Sequence, residues 1–212
     1  MPTFQTLAPI TVIADILSGE LTVRASDRTD TVVQVNPADP SKKADVRAAE
    51  QTRVDFTGGT LTVKASKDWR THTPFGGNPS IEVLIEVPTG SLLTAGSGVG
   101  RLVAVGEFAD TDLEVAAGDI TVERPRGAVS AKVAKGDIHI HDAAAGELRL
   151  ETSYGELEIG IAAGSAVQLE VNATSGTVQN LMQPVDPTNA ETVRVHARNS
   201  FGNIIIRHAV LV

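Results

Sequence analysis

Apolar and polar residues alternate along most of this chain, in short stretches that open with a glycine. Each stretch has a glycine, usually an acidic or polar residue next, and then an apolar residue that begins the alternation. It recurs in these segments: Gly100–Ala104, Gly118–Val122, Gly136–Ile140, Gly155–Ile159, Gly176–Val178 and Gly202–Ile206. The steps between successive glycines are 18, 18, 19, 21 and 26 residues. Because alternation with a period of two is typical of β-strands, each stretch predicts a strand.

A second set of alternating stretches lies about half a period away from the first. Its members are Asp112–Val115, Val129–Val133, Glu147–Leu150 and Val167–Val171. Each repeat of about 18 residues therefore holds two short strands, whereas a propeller blade needs four strands in about 40 to 50 residues. The pattern predicts an all-β fold, a right-handed β-solenoid in which each strand stacks on its counterpart in the next coil at about 4.8 Å.

The first 95 residues show the same texture with longer interruptions. Gly19–Arg24 and Gly59–Lys64 repeat the glycine-led stretch, while residues 36–51 and 66–79 read as loops. The first of these loops contains a predicted short helix over Lys42–Glu50. We expect one domain over residues 1–212, with less regular coils in 1–95 and regular repeats in 96–212.

Composition narrows the kind of core and the kinds of partner. Hydrophobic residues make up 42% of the chain and aromatic residues only 3%, which favours a narrow aliphatic interior. The net charge of −8 argues against a nucleic-acid partner or an anionic membrane surface, both of which need clustered Lys and Arg. The absence of cysteine excludes disulfides, thiolate catalysis and Cys-ligated metal sites.

The beginning of the sequence lacks the basic and apolar regions of a secretory signal, and no run approaches the roughly 18 apolar residues of a membrane span. From these features we expect a soluble, cytoplasmic protein.

Several segments together resemble a known family. They are Val35–Asp45, Gly59–Lys64, Ser97–Gly100, Ala117–Ile120 and Asn199–Arg207. In their order they resemble the putative-adhesin family of bacterial β-strand-repeat proteins, a domain of unknown function common in actinobacteria. The resemblance implies a β-helical fold and a surface or adhesive role. It implies no catalytic residues.

Stacked coils would bring acidic residues into a ladder. Asp119, Asp137 and Glu156 each follow a repeat glycine, so they would lie roughly 5 Å apart in successive coils. A cation such as Ca²⁺ could bridge such carboxylates. Carboxylates at turns also cap backbone groups, and we favour this second interpretation.

Two histidines offer a second candidate metal site. His139 and His141 project from the same strand face, as a pair of zinc ligands would. His139 would also stand beside Glu158, and His141 beside Glu123, so cross-strand pairing explains the same residues without a metal. A metal site needs a third ligand at a fixed spacing, and because the sequence shows none, we predict no metal and no cofactor.

Apolar and aromatic residues mark two candidate interaction surfaces. Trp69, His72 and Phe75 in the second loop would form a recognition tip, unless Trp69 folds back over an open coil. Val210, Leu211 and Val212 follow the strongly apolar Ile204–Ile206, and the last coil of a solenoid must be covered. We therefore expect this end to pack against residues 10–16 or against another subunit.

These features favour a non-enzymatic scaffold or binding module with a protein or glycan partner, and a homo-oligomer formed through a solenoid end is a further hypothesis. One alternative is a carbohydrate-active β-helix enzyme in which Asp119, Asp137 and Glu156 supply the carboxylates. A second alternative is a structural protein whose coils stack end to end into filaments.

Overall fold

The computed structural model describes residues 1–65, 79–183 and 191–209. These residues form sixteen β-strands joined in one sheet and a single α-helix, so the fold is all-β and solenoid-like. The predicted interaction residues of the second loop and of residues 210–212 lie outside the described residues. These are Trp69, His72, Phe75, Val210, Leu211 and Val212.

The first seven elements form one end of the molecule. They are β1 (Thr3–Gln5), β2 (Thr11–Ser26), β3 (Asp30–Pro37), α1 (Lys43–Gln51), β4 (Arg53–Thr57), β5 (Thr60–Lys64) and β6 (Ile81–Pro88). The short helix predicted over Lys42–Glu50 is confirmed within one residue. No helix in the described ranges has the length and apolarity that crossing a membrane requires.

The segment before the helix is held by one buried carboxylate. Asp45 of α1 is only 4% exposed. Its two carboxylate oxygens accept hydrogen bonds from the backbone N–H of Asp39, at 3.2 Å, and of Ser80, at 3.0 Å. Asp45 thereby ties the helix to the chain that enters β6. The Val35–Asp45 segment, which carries part of the family resemblance, therefore has a structural role.

The later strands form the stacked coils. They are β7 (Leu92–Val105), β8 (Thr111–Val122), β9 (Val129–Lys135), β10 (Ile138–Ala143), β11 (Gly146–Tyr154), β12 (Leu157–Ile161), β13 (Ala166–Ser175), β14 (Val178–Asn180), β15 (Thr192–Phe201) and β16 (Ile204–His208). All of their pairings are parallel and run in two rows. One row has the order β8-β9-β11-β15-β13, and the other has the order β8-β10-β12-β16-β14.

One column of the core takes a single aliphatic side chain from each coil. Leu102 lies opposite Ile120, which lies opposite Ile138, and the column continues through Leu157 to Ile204. Each of these five side chains is at most 1% exposed. Stacked parallel strands bury such a column only together, because no single coil has a second layer of its own.

A stack of glycines turns the chain between the two rows. Gly118 has φ +133°, and a Cβ atom added to it would lie 1.8 Å from the carbonyl oxygen of Gly100 in the coil before. Gly202 repeats this arrangement, with φ +135° and the same 1.8 Å separation from the carbonyl oxygen of Gly155. Both the backbone conformation and the close approach therefore require glycine at this corner.

The last coils do not stack in chain order. The β15–β16 coil lies between the β11–β12 coil and the β13–β14 coil. Ile204–Ile206 is therefore an interior segment, covered by β12 on one side and β14 on the other. The expectation that residues 10–16 cover Ile204–Ile206 is wrong, since residues 11–16 pair with β5 and β7 instead. Packing of this end of the chain against another subunit stays a prediction.

The end of the molecule that holds the helix is closed. There β3 runs antiparallel to β6, and β4 runs antiparallel to β5. Helix α1 packs against β3. Phe4 and Phe56 meet across this end, with ring centroids 5.1 Å apart.

Candidate functional site

The outward side chains of four neighbouring strands meet on one face of the molecule. Strands β9, β11, β15 and β13 lie side by side in register, so that Ser130, Arg149, His196 and Glu170 form one row across them. Lys132, Glu151, Arg198 and Asn172 form the next row, two residues further along each strand. Alternation along each strand sends the intervening side chains, such as Leu150 and Ala197, into the core.

These rows border a depression of about 590 Å³, which we term the charged groove. Its outward lining consists of Ser130, Lys132, Glu147, Arg149, Glu151, Glu170, Asn172, His196 and Arg198. A second depression of about 420 Å³ shares Ser130, Glu147 and Arg149 with it and continues over β7 and β8. The face therefore offers one extended polar surface that crosses several coils.

A chain of ionic contacts runs across the groove. Arg149 Nε donates to Glu147 Oε1 at 3.0 Å, and His196 Nε2 lies 3.3 Å from the same oxygen. His196 Nδ1 lies 3.1 Å from Glu170 Oε2. Each contact of His196 joins side chains of two coils, so the imidazole is positioned between two carboxylates.

Two exposed cations of the groove lie on either side of one carboxylate. Among the described residues neither Lys132 nor Arg198 forms an ion pair, although both lie beside Glu151 in the register of the strands. Both side chains are exposed. The groove therefore presents unpaired positive groups next to carboxylate and amide acceptors, which suits a polar partner that both donates and accepts hydrogen bonds.

A second ionic cluster lies on the other row of strands. Arg207 Nε donates to Glu158 Oε1 at 2.6 Å, and His139 Nδ1 lies 3.3 Å from Glu158 Oε2. The predicted neighbourhood of His139 and Glu158 is therefore confirmed by the register of β10 and β12. Partial burial acts to raise the pKa of Glu158, but the hydrogen bond and charge of Arg207, helped by His139, lower it overall.

The predicted acidic ladder is present, and the carboxylates of Asp119 and Asp137 accept hydrogen bonds from backbone N–H groups. Asp119 Oδ1 accepts the backbone N–H of Asp137 at 3.1 Å, and Asp137 Oδ1 accepts the backbone N–H of Glu156 at 2.7 Å. In the next coil the amide oxygen of Asn203 takes the same role toward the backbone N–H of Thr177, at 3.1 Å. These side chains join successive coils at the corner, where a parallel ladder would otherwise leave N–H groups unpaired.

The remaining metal candidates do not come together. His141 is exposed, and the neighbouring Asp142 donates its backbone N–H to Glu123 O at 2.9 Å. Within residues 1–65, 79–183 and 191–209, no group of three His, Asp or Glu side chains has the arrangement of a metal site. Glu114 lies beside Lys132 in the register of β8 and β9.

Sequence reasoning missed the groove and one further feature. Glu147 and Arg149 belong to a predicted strand and His196 to none, and no motif connects them. Only the register between coils brings these side chains together. At the corner, the rings of Tyr154 and Phe201 stack with centroids 4.8 Å apart and planes inclined by 5°. Both rings are about half exposed, and their only signal in the sequence is that each directly precedes a repeat glycine.

Comparison with known proteins assigns this architecture to a family. The family model Toastrack DUF4097 matches residues 12–179 and 93–203. This match confirms the resemblance that the sequence showed to adhesin-like β-strand-repeat proteins. No curated protein matches the chain.

Two solved structures resemble the whole chain. A "putative cell adhesion protein" from Clostridium sporogenes is 11% identical, with 98% of this chain and 98% of that chain covered and a TM-score of 0.54. A "putative adhesin" from Bacteroides fragilis is 14% identical, with 97% and 95% covered and a TM-score of 0.49. The first likeness supports the solenoid-like fold over the length of the chain.

Proposed function

This chain belongs to the Toastrack DUF4097 family, and on that basis we propose that it is a non-enzymatic scaffold that binds a protein or glycan partner through the charged groove. The observation that carries the proposal is the exposed pair Lys132 and Arg198, which lies unpaired among the described side chains of the groove. An adhesive role agrees with the description of the Clostridium sporogenes structure as a cell adhesion protein.

The hydrogen bonds of the acidic ladder support a non-enzymatic role. A glycosidase needs two free carboxyl groups that flank a glycosidic bond. Here Asp119 and Asp137 each use a carboxylate oxygen to hold the backbone of the next coil. Asp119 and Asp137 therefore have a structural role at two of the three positions where the enzyme hypothesis required chemistry.

We also propose the finer features that the sequence predicted. They are a right-handed solenoid with coils of about 18 residues, a single domain over residues 1–212 and a cytoplasmic location. The coil length is supported by the register, in which Gly100 lies opposite Gly118. Fractionation of cells that express the natural protein, probed with an antibody, would test the location.

The binding proposal is tested with an immobilised glycan array and an array of acidic and neutral peptides. The groove variant is Lys132→Ala with Arg198→Ala. Its matched control is Lys64→Ala with Arg53→Ala, which also removes one exposed lysine and one exposed arginine, but from the β4–β5 hairpin. We expect the groove variant to lose at least about tenfold in affinity for any ligand that the wild type binds.

The control variant should bind like the wild type. Equal binding by the groove variant would place the ligand elsewhere on the protein. Absence of binding by the wild type to both arrays would contradict the proposed partner classes.

A further inference from the structure

The end of the solenoid formed by β13 and β14 carries the features of an association surface. Among the described residues, β13 pairs only with β15 and β14 pairs only with β16. The outer edges of both strands therefore present backbone N–H and C=O groups without a neighbouring strand. Such an edge is a template for another β-strand unless the protein protects it.

The side chains of this end coil do not protect the edge. Proteins usually blunt an exposed edge with charges, proline, bulges or very short strands. Strand β13 is ten residues long, and Glu170 is its only charged residue. Strand β14 is only three residues long and carries no charged residue, so the unprotected part of this edge is β13. Val178 of β14 is 42% exposed, and Leu181, which follows β14, is 58% exposed.

The core is also less well covered at this end. Val193 and Val195 of β15 are fully buried. Their partners in β13 are Val167 and Leu169, which are only partly buried although they point into the same column. A further coil or strand layer on the outer side of β13 would complete their burial.

The opposite end of the molecule is built differently. Its last layers run antiparallel, and the edge strands β1 and β4 are three and five residues long. Arg53 and Asp55 place charges on β4, and α1 packs against β3. This end follows the rules for edge protection, so it does not accept the β13–β14 end of another molecule.

We propose that the β13–β14 end binds the same end of a second copy of this chain, which forms a closed, two-fold symmetric dimer. Copies with a net charge of −8 repel one another, and the low charge of β13 and β14 reduces that repulsion at this end. This end brings together one carboxylate from each copy, and each Glu170 is held by its own His196. A two-fold axis normal to the sheet pairs β13 antiparallel with its copy.

The association stops at two copies because the described residues of each molecule leave one end unprotected. It goes beyond the binding role of the charged groove and does not depend on it. The dimer and the groove therefore succeed or fail in separate experiments.

Light scattering coupled to size-exclusion chromatography tests the proposal on the full chain. The end variant is Gln168→Lys with Val178→Lys, which adds like charges to both edge strands and changes no residue of the charged groove. The matched control is Thr94→Lys with Val99→Lys, on β7, which is paired on both sides. Val99 is 47% exposed, close to the 42% of Val178.

We expect the wild type and the control to elute with the mass of two chains and the end variant with the mass of one. Hydrogen exchange gives an independent measurement that needs no substitution. Backbone amides of residues 166–175 should exchange several-fold more slowly in concentrated than in dilute wild-type protein, while those of β7 stay unchanged.

A wild type with the mass of one chain at high concentration would overturn the proposal. So would an end variant that keeps the mass of two chains with a native circular dichroism spectrum, or a wild type whose mass grows beyond two chains. Covering of this end by other residues of the same chain would give the first of these results.

Discussion

The glycine at the corner of each coil can be tested with one methyl group. In Gly118→Ala the added Cβ would lie 1.8 Å from the carbonyl oxygen of Gly100 and 2.7 Å from its carbonyl carbon. Real Cβ atoms essentially never lie within 3.0 Å of such atoms, so the two coils have to move apart at this corner. The neighbouring atoms are backbone, which cannot rotate away as the end of a flexible side chain does.

The expected destabilisation has two parts. The backbone conformation at φ +133° costs an L-residue about 1 to 3 kcal/mol. Separation of the coils weakens the adjacent hydrogen bonds of the ladder, each worth about 1 kcal/mol. We therefore expect Gly118→Ala to lower the free energy of unfolding by about 4 kcal/mol, which corresponds to a fall in Tm of about 8 to 16 °C for a chain of this size.

A second glycine separates the two parts. Gly59, in the turn between β4 and β5, has φ +78°, but no heavy atom lies within 4 Å of an added Cβ. Gly59→Ala should therefore show only the conformational cost, about 1 to 2 kcal/mol. Thermal and urea denaturation of both variants, followed by circular dichroism, give the comparison. If Gly118→Ala costs no more than Gly59→Ala, the close approach of the coils does not constrain the corner.

Two further predictions concern polar side chains. The pKa of Glu158 is lowered in the folded state, chiefly by Arg207. The contact therefore contributes its full stabilisation above the ordinary glutamate pKa of about 4.3, and this stabilisation is lost as the pH falls through the lower folded pKa. Urea denaturation at several pH values should therefore show a smaller acid-induced loss of stability for Glu158→Gln than for the wild type, and an identical loss would contradict the prediction. Thr152, buried at 1% exposure, donates from Oγ1 to the carbonyl oxygen of Gly136 at 3.0 Å. Thr152→Val should lower the free energy of unfolding by about 1 to 2 kcal/mol. The control Thr94→Val, at an exposed threonine, should change it little. Equal effects of the two substitutions would refute the role of the buried hydroxyl.

The periodic part of the fold could be predicted because two local rules agree. Glycine at fixed steps marks the corners, and alternation marks which side chains point inward. Together they bring Ile120, Ile138 and Leu157 into one column, as the structure shows. The same steps place Asp119 and Asp137 in adjacent coils, because each follows its own corner glycine.

The order of the last coils could not be predicted by these rules. The stretches at Gly176 and Gly202 have the same form, and nothing in either one states which of them stacks on Gly155. Ile204 and Ile206 point into the core, whereas Ile205 lies on the outer face between Glu158 and Gln179 and is only partly buried. The apolar run therefore does not by itself identify the neighbours of β16, since β10 and β12 also have two neighbouring strands and carry His139 and Glu158 on their outer face.

The groove escaped prediction for a related reason. Glu147, His196 and Glu170 lie on three strands that become neighbours only when the β15–β16 coil inserts between the other two. In the chain order of the coils, β13 would have lain beside β11, and His196 would have had no place between the two glutamates. An error in coil order therefore removes the whole row of ionic contacts.

The inserted coil also has a consequence for synthesis on the ribosome. Residues 166–180 are made before residues 192–208, yet they pair only with those later residues in the described structure. A regular solenoid can add each coil to the preceding one as the chain emerges. Here β13 and β14 have no strand to pair with until β15 and β16 have been synthesised. The final two coils are therefore added together rather than one after the other.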